Sequence, residues 1–101
     1  MRKKLSLCIV LLFVWLIGCN KSPAEIKKAY NEEIRKGIIA QNSVPPNLDL
    51  AILHYTLAIS IDPNRCRAYM FRALCYTDQN RVLEALTDGR TAKSLPGYPD
   101  D

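Results

Sequence analysis

The feature that most constrains this chain is a helical pattern that occurs twice, 34 residues apart. The first copy precedes the helix-breaking segment Asp62, Pro63 and Asn64, and the second copy follows it. The equivalent residues are Ala51 and Ala85, Ile52 and Leu86, Ala58 and Ala92, and Ile61 and Leu95. A period of this length with small residues at fixed places indicates stacked helix-turn-helix units.

Length and charge restrict the classes of function. The chain has 101 residues, which favours a single domain, and a formal net charge of +4. Arg2, Lys3 and Lys4 supply three of its 14 cations, whereas 11 cations and ten anions follow from Cys19 onward. A nearly neutral mature chain lacks the basic surface that phosphate backbones require. We therefore expect no nucleic-acid partner.

Residues 1–18 are predicted to form a signal peptide. Three cations near the N-terminus precede an apolar segment at residues 5–17, as in secretory signals. That segment is shorter than the 20 or so apolar residues that cross a membrane. Its central part is apolar on every face, which argues against an amphipathic core helix. Residues 1–18 are therefore not expected to belong to the fold of the mature chain.

The end of this segment, Leu16, Ile17, Gly18 and Cys19, resembles the lipobox of bacterial lipoproteins. The resemblance implies cleavage after Gly18, diacylation of the Cys19 thiol and, in many bacteria, acylation of the new amino group. Two or three acyl chains anchor a protein firmly, whereas one gives marginal, reversible binding. Asn20, rather than Asp, follows the cysteine, which by the same resemblance favours the periplasmic face of the outer membrane. An ordinary cleaved signal with an incidental cysteine is the alternative.

The mature chain is predicted to be all-α. Residues 19–22 would form a lipidated tether, residues 23–97 a domain of antiparallel helix-turn-helix repeats, and residues 98–101 a tail. Apolar residues recur at helical spacing throughout the domain, and no segment alternates in the way expected of a β-strand. Four helices are therefore expected.

Cap and breaker residues predict the ends of these helices. Ser22 is expected to cap the first helix, and the proline pair at residues 45–46 excludes its continuation. Asn47 is expected to cap the second helix, and the third is expected to start near Asn64. A turn at residues 78–80 would precede the fourth helix.

The third and fourth helices resemble a tetratricopeptide repeat (TPR), whose pattern combines aromatic and small residues at fixed places. The matching residues are Tyr69, Ala73, Tyr76, Ala85 and Ala92. The first two helices match it through Gly37, Ala51, Tyr55, Ala58 and Pro63. Gly89 departs from the pattern, because an aromatic residue would be expected there. The resemblance covers about residues 30–97 and implies about two repeats; the alternative is a plain four-helix bundle.

The resemblance also implies a protein-binding groove lined by the first helix of each repeat. Met70 and Leu74 would form an apolar strip, and Arg67 could pair with a carboxylate. The expected groove residues are Ile34, Ile38, Gln41, Arg67, Met70, Leu74 and Thr77. The alternative is that these residues cover a neighbouring helix.

No residue pattern predicts catalysis. His54, the only histidine, has no cysteine or carboxylate at ligand spacing, so we expect a surface residue and no metal site. Phosphate-binding loops and nucleophile motifs do not occur in the sequence. Cys66 and Cys75 lie nine residues apart on one helix, too far for a mutual disulfide. Cys75 is expected to pack as a small apolar residue, and Cys66 to be either partly buried or an exposed thiol.

Two repeats are fewer than the three or so that a stable stack usually needs. The fourth helix is expected to direct Arg81, Glu84, Asp88, Arg90 and Lys93 outward, which makes it only partly a polar cap. We therefore expect the domain to gain stability by docking on a partner or by self-association. The expected function is a membrane-anchored lipoprotein that binds or assembles other envelope proteins, without enzymatic activity, cofactor or small-molecule substrate. A structural envelope protein that associates only with itself is the alternative.

Overall fold

The computed structural model describes residues 21–99, which form four α-helices joined by short turns. The helices are α1 (Pro23–Gln41), α2 (Leu48–Ile61), α3 (Cys66–Asp78) and α4 (Val82–Ser94). No strand occurs in this part of the chain, so the predicted all-α class is confirmed. Consecutive helices are antiparallel: α1 packs on α2, α3 packs on α4, and α2 joins the two hairpins by packing on α3. The predicted signal peptide and Cys19 lie outside the described residues.

Ser22 and Asn47 cap the first two helices as predicted. The Ser22 hydroxyl accepts a hydrogen bond from the Glu25 backbone N–H at 3.2 Å. The Asn47 side-chain oxygen accepts one from the Leu50 N–H at 3.1 Å. Both bonds satisfy backbone donors that the start of a helix leaves without an intrahelical acceptor.

α3 begins at Cys66, two residues after the predicted start near Asn64. The Asp62 carboxylate accepts hydrogen bonds from the Asn64 backbone N–H at 3.2 Å and from Arg65 Nε at 2.9 Å. An aspartate bonded to the backbone two residues further on stabilises a turn rather than a helix. The connection between α2 and α3 is therefore not helical.

The turn between α3 and α4 begins one residue later than predicted, because Asp78 completes α3. Asn80 adopts a left-handed conformation there, with φ at 59°. Asparagine tolerates this region better than most residues do. The chain can thus reverse direction within three residues and return along α3 as α4.

The core is built from aromatic and small side chains. Tyr55 is fully buried, and the centre of its ring lies 5.6 Å from that of Phe71, across the contact between α2 and α3. Gly37 of α1 lies against the same ring, and a Cβ atom at this position would overlap the ring. The remaining buried hydrophobic residues are Tyr30, Ile34, Ala40, Ala51, Ala58, Cys66, Ala68, Cys75 and Ala92. The equivalent alanines Ala58 and Ala92 let the helices approach closely, whereas Ala85, the equivalent of the buried Ala51, is only half-buried.

The expectation that Asp88 points outward from α4 is wrong, because its side chain is only 4% exposed. Its carboxylate accepts two hydrogen bonds from Arg72, at 2.6 Å from Nε and 2.7 Å from Nη2. Arg72 also donates from Nη1 to the Thr56 hydroxyl at 3.1 Å. A buried carboxylate requires such a partner, and this one connects α2, α3 and α4.

Cys66 and Cys75 form no disulfide with each other, and both are fully buried. The exposed-thiol alternative for Cys66 is therefore wrong, and Cys75 packs in the hydrophobic core as predicted. Burial, together with the charge of Asp78, raises the pKa of the Cys75 thiol from near 9 to about 11. A thiol in this environment stays protonated at neutral pH.

Candidate binding surfaces

The described residues contain no cluster of three or more His, Cys, Asp or Glu side chains that could hold a metal ion. His54 is not a simple surface residue, which corrects the sequence prediction. Its Nδ1 atom lies 2.7 Å from Glu33 Oε2, and both side chains are about four-fifths buried. The reason is that α1 packs beside this face of α2. Within residues 21–99, no helix is long and apolar enough to cross a membrane.

The α1 residues predicted to line a groove face the interior. Ile34 is 2% exposed and belongs to the core, so its assignment to an accessible groove is wrong. Ile38 packs against the same core, and the Gln41 side chain accepts a hydrogen bond from the Tyr55 hydroxyl at 2.7 Å. These residues lie on or beside the only continuous apolar stripe of α1, which packing on α2 removes from water.

The α3 residues of the predicted groove are more accessible. Leu74 is 53% exposed, Arg67 and Thr77 are exposed, and Met70 is half-buried. Their spacing of three and four residues places them on one face of α3. Protein binding by this face stays a prediction.

Three leucines that the sequence analysis did not single out form an exposed stripe on α2. Leu50, Leu53 and Leu57 are between 40% and 51% exposed and lie one turn apart. α2 is apolar around most of its circumference, so its periodicity does not distinguish the buried side from the exposed side. Only the packing of α1 and α3 reveals this stripe.

A second exposed apolar surface lies at the end of the stack. We call it the α4 end face, and it consists of Val82, Leu83, Leu86 and Gly89. The three apolar side chains are 60%, 77% and 51% exposed. No atom lies within 4 Å of a Cβ atom built on Gly89, so the space above it is open.

The period of 34 residues relates the α4 end face to a covered face of α2. Leu48, Ile52 and Tyr55 occupy the positions 34 residues before Val82, Leu86 and Gly89, whereas Leu83 corresponds to the exposed Asp49. In α2 these three residues pack in or against the core, and Tyr55 contacts α3 directly. On α2 this face is covered, and α3 contacts it at Tyr55. On α4 the equivalent face is exposed.

A basic pocket of about 230 Å³ lies where α1 meets the start of α3. Its lining residues are Lys27, Tyr30, Asn31, Arg65 and Arg67. The Arg65 guanidinium lies 5.5 Å from the centre of the Tyr30 ring, a cation–π contact that holds it over α1. Sequence reasoning missed this pocket, because its cations come from segments almost forty residues apart.

Comparison with known proteins found no matching family model, no similar curated protein and no similar solved structure. The likeness to the TPR family therefore remains a resemblance carried by the period and the residues that match it. The geometry agrees with a helical repeat, because Ala58 and Ala92 occupy equivalent buried positions in the two hairpins.

Proposed function

We propose that this protein is a membrane-anchored lipoprotein of the bacterial cell envelope that binds another envelope protein through its helical hairpins. The observation that carries the proposal is the exposed α4 end face. Because Tyr55 on the equivalent face of α2 contacts α3, we expect the α4 end face to receive an amphipathic helix in the same way. A partner helix with its own apolar stripe would add the third layer that such stacks usually need.

The proposed location rests on the lipobox-like residues that end at Cys19. An acylated Cys19 would lie three residues before Ser22, the N-cap of α1, so the hairpins would sit close to the membrane. The partner is accordingly expected among proteins of the envelope. Asn20 after the cysteine favours the outer membrane by the same resemblance.

The second candidate is self-association without a dedicated client. The same face supports it, since an exposed apolar surface on one copy can pair with that of a second copy. The two candidates differ in what covers Leu86 in the cell.

Photocrosslinking in cells separates the two candidates. We would place a photoreactive amino acid at Leu86 and, as a matched control, at the exposed Arg35 of α1. A heterologous protein captured stoichiometrically at Leu86, and not at Arg35, supports the first candidate. Self-copies alone support the second candidate, and equal labelling at both positions contradicts both.

The lipid anchor is tested separately by labelling cells with palmitate. Wild-type protein should incorporate the label and fractionate with membranes. Cys19→Ala should lose both properties, because the acylated thiol is gone. An unmodified, unprocessed N-terminus in the mass spectrum of the wild-type protein would contradict the anchor, whatever the crosslinking shows.

A further inference from the structure

We propose that the basic pocket, lined in part by Lys27, Arg65 and Arg67, binds the phosphate group of an anionic phospholipid headgroup. The inference rests on the lipid anchor proposed above and adds a second contact with the membrane. It is carried by the position of the pocket, by its chemistry and by the distribution of charge along the bundle.

The pocket lies at the end of the bundle where the anchor would be attached. α1 and α3 both start at this end, because consecutive helices alternate in direction. Three residue steps from Cys19 to Ser22 span at most about 10 Å of extended chain. Lys27 lies about 7.5 Å further along α1, given the rise of a helix. A chain held at Cys19 therefore places the pocket within reach of headgroups.

The chemistry of the pocket fits a phosphate monoanion. Lys27 of α1 and Arg65 and Arg67 at the start of α3 line it with one ammonium and two guanidinium groups. Arg65 also donates a hydrogen bond from Nε to the Asp62 carboxylate at 2.9 Å, so its Nη groups are the ones that would contact a phosphate. Arginine binds phosphate oxygens through paired N–H donors, and lysine adds a compact charge. The Asn31 side chain also lines the pocket and provides an uncharged donor. A zwitterionic headgroup carries a cation beside its phosphate, and the cations of the pocket would repel that cation.

Positive charge is concentrated at the anchored end of the described bundle and negative charge at the opposite end. This distribution favours an orientation with the anchored end against an anionic membrane. Within the described residues the anchored end, residues 21–28, 62–67 and 91–94, carries six cations and two anions; Asp100 and Asp101, which follow α4 in the sequence, lie outside the described residues. The opposite end, residues 42–52 and 75–85, carries one cation and three anions. An anionic membrane surface attracts the first end and repels the second. The pocket is the concave part of the attracted end.

The test uses the full chain, purified from membranes in a neutral detergent. Binding of phosphatidylglycerol and of phosphatidylcholine is titrated by native mass spectrometry at low and physiological ionic strength. We expect phosphatidylglycerol to bind more tightly and to weaken as salt increases, because ions screen surface charge. Each cation near an anionic surface strengthens binding roughly fivefold, so Lys27→Ala combined with Arg67→Ala should weaken it about 25-fold.

The matched control removes two cations of α1 that lie outside the pocket, Arg35→Ala combined with Lys36→Ala. It should retain affinity for phosphatidylglycerol within about twofold, because these side chains lie two turns or more beyond Lys27 along the helix. Circular dichroism of both double variants checks that the helices persist.

Three outcomes would overturn the proposal. These are equal affinity for the two lipids, an equal loss in the control variant, and complete displacement of the lipid by millimolar inorganic phosphate, which would indicate a site for free phosphate. Tighter binding of an acidic peptide without preference for phosphatidylglycerol would likewise overturn it in favour of a protein ligand. The mass of the purified chain reports acylation independently, so failure of this inference is distinguishable from failure of the anchor.

Discussion

The Tyr30 hydroxyl accepts a hydrogen bond from the Ala68 backbone N–H at 3.0 Å, so a residue of α1 caps α3. Ala68 is the third residue of α3, and its amide is one of the donors that a helix start leaves without an intrahelical acceptor. Arg65, the N-cap residue, makes no side-chain capping bond. The start of α3 thus depends on the first hairpin, which couples the two hairpins.

Removing that hydroxyl should weaken the coupling. Tyr30→Phe keeps the buried ring but leaves the Ala68 N–H without this acceptor, at an expected cost of about 1–2 kcal/mol in unfolding free energy. Urea unfolding followed by circular dichroism measures the loss. The control is Tyr69→Phe, which removes a longer, exposed hydrogen bond of 3.3 Å to the Pro63 carbonyl and should cost less than about 0.5 kcal/mol. Equal losses would show that the cap contributes nothing specific.

The pair formed by Arg72 and Asp88 should respond differently to single and double substitution. Asp88→Ala leaves a largely buried guanidinium without its carboxylate and should cost about 3 kcal/mol of unfolding free energy. Asp88 raises the pKa of the Arg72 guanidinium, chiefly by accepting its hydrogen bonds. Arg72→Met combined with Asp88→Leu should recover most of the loss, because apolar residues carry no desolvation penalty. Additive losses in the double variant would contradict this account.

The two helical glycines provide a matched pair. Gly37→Ala introduces a methyl group that overlaps the Tyr55 ring, and Tyr55 is fully buried and cannot move aside. We expect a net loss of about 1–2 kcal/mol, because overpacking outweighs the better helix propensity of alanine. Gly89→Ala meets open space and should gain up to about 1 kcal/mol. Both changes are measured by thermal and urea unfolding, and a stabilising Gly37→Ala would contradict the close contact between α1 and α2.

Stability should fall at alkaline pH. Burial raises the pKa of Cys75 to about 11 and also raises that of Tyr55. Because folding favours the protonated form of both groups, their contribution is complete below about pH 9, the unfolded thiol value. The contribution of Cys75 is then lost as pH rises through 11.

Urea unfolding at intervals between pH 7 and 11 would follow this loss. Cys75→Ala should reduce the decline above about pH 9, since the Cys75 thiol no longer ionises on unfolding. A wild-type unfolding free energy that stays constant across this range would show that the thiol is not desolvated.

Local features of the sequence predicted the helices well. Ser22 and Asn47 cap the helices expected of them, because a capping bond joins residues three positions apart and needs no tertiary contact. The repeat period likewise placed Ala58 and Ala92 at equivalent positions of the two hairpins, and both are buried. Start and stop signals of this kind act within one turn of helix, so they are readable from the chain alone.

The accessible surface was predicted less well. Ile34 was assigned to a groove and lies in the core, whereas Asp88 was assigned to solvent and lies buried against Arg72. The arginine is 16 residues from its carboxylate, and Tyr30 is 38 residues from the amide that it caps. No spacing rule connects residues at such separations, because the contact exists only after two hairpins pack.

The sequence by itself therefore determined the helical class, the order of the helices and the residues at which most of them begin or end. Those properties follow from backbone hydrogen bonding and side-chain periodicity, which operate over a few residues. Only the tertiary structure decided which faces of α2 and α4 meet water, which charges are paired, and that Lys27 and Arg67 line one pocket. These depend on which helix packs against which, and the free energy of that packing is shared among residues far apart in the chain.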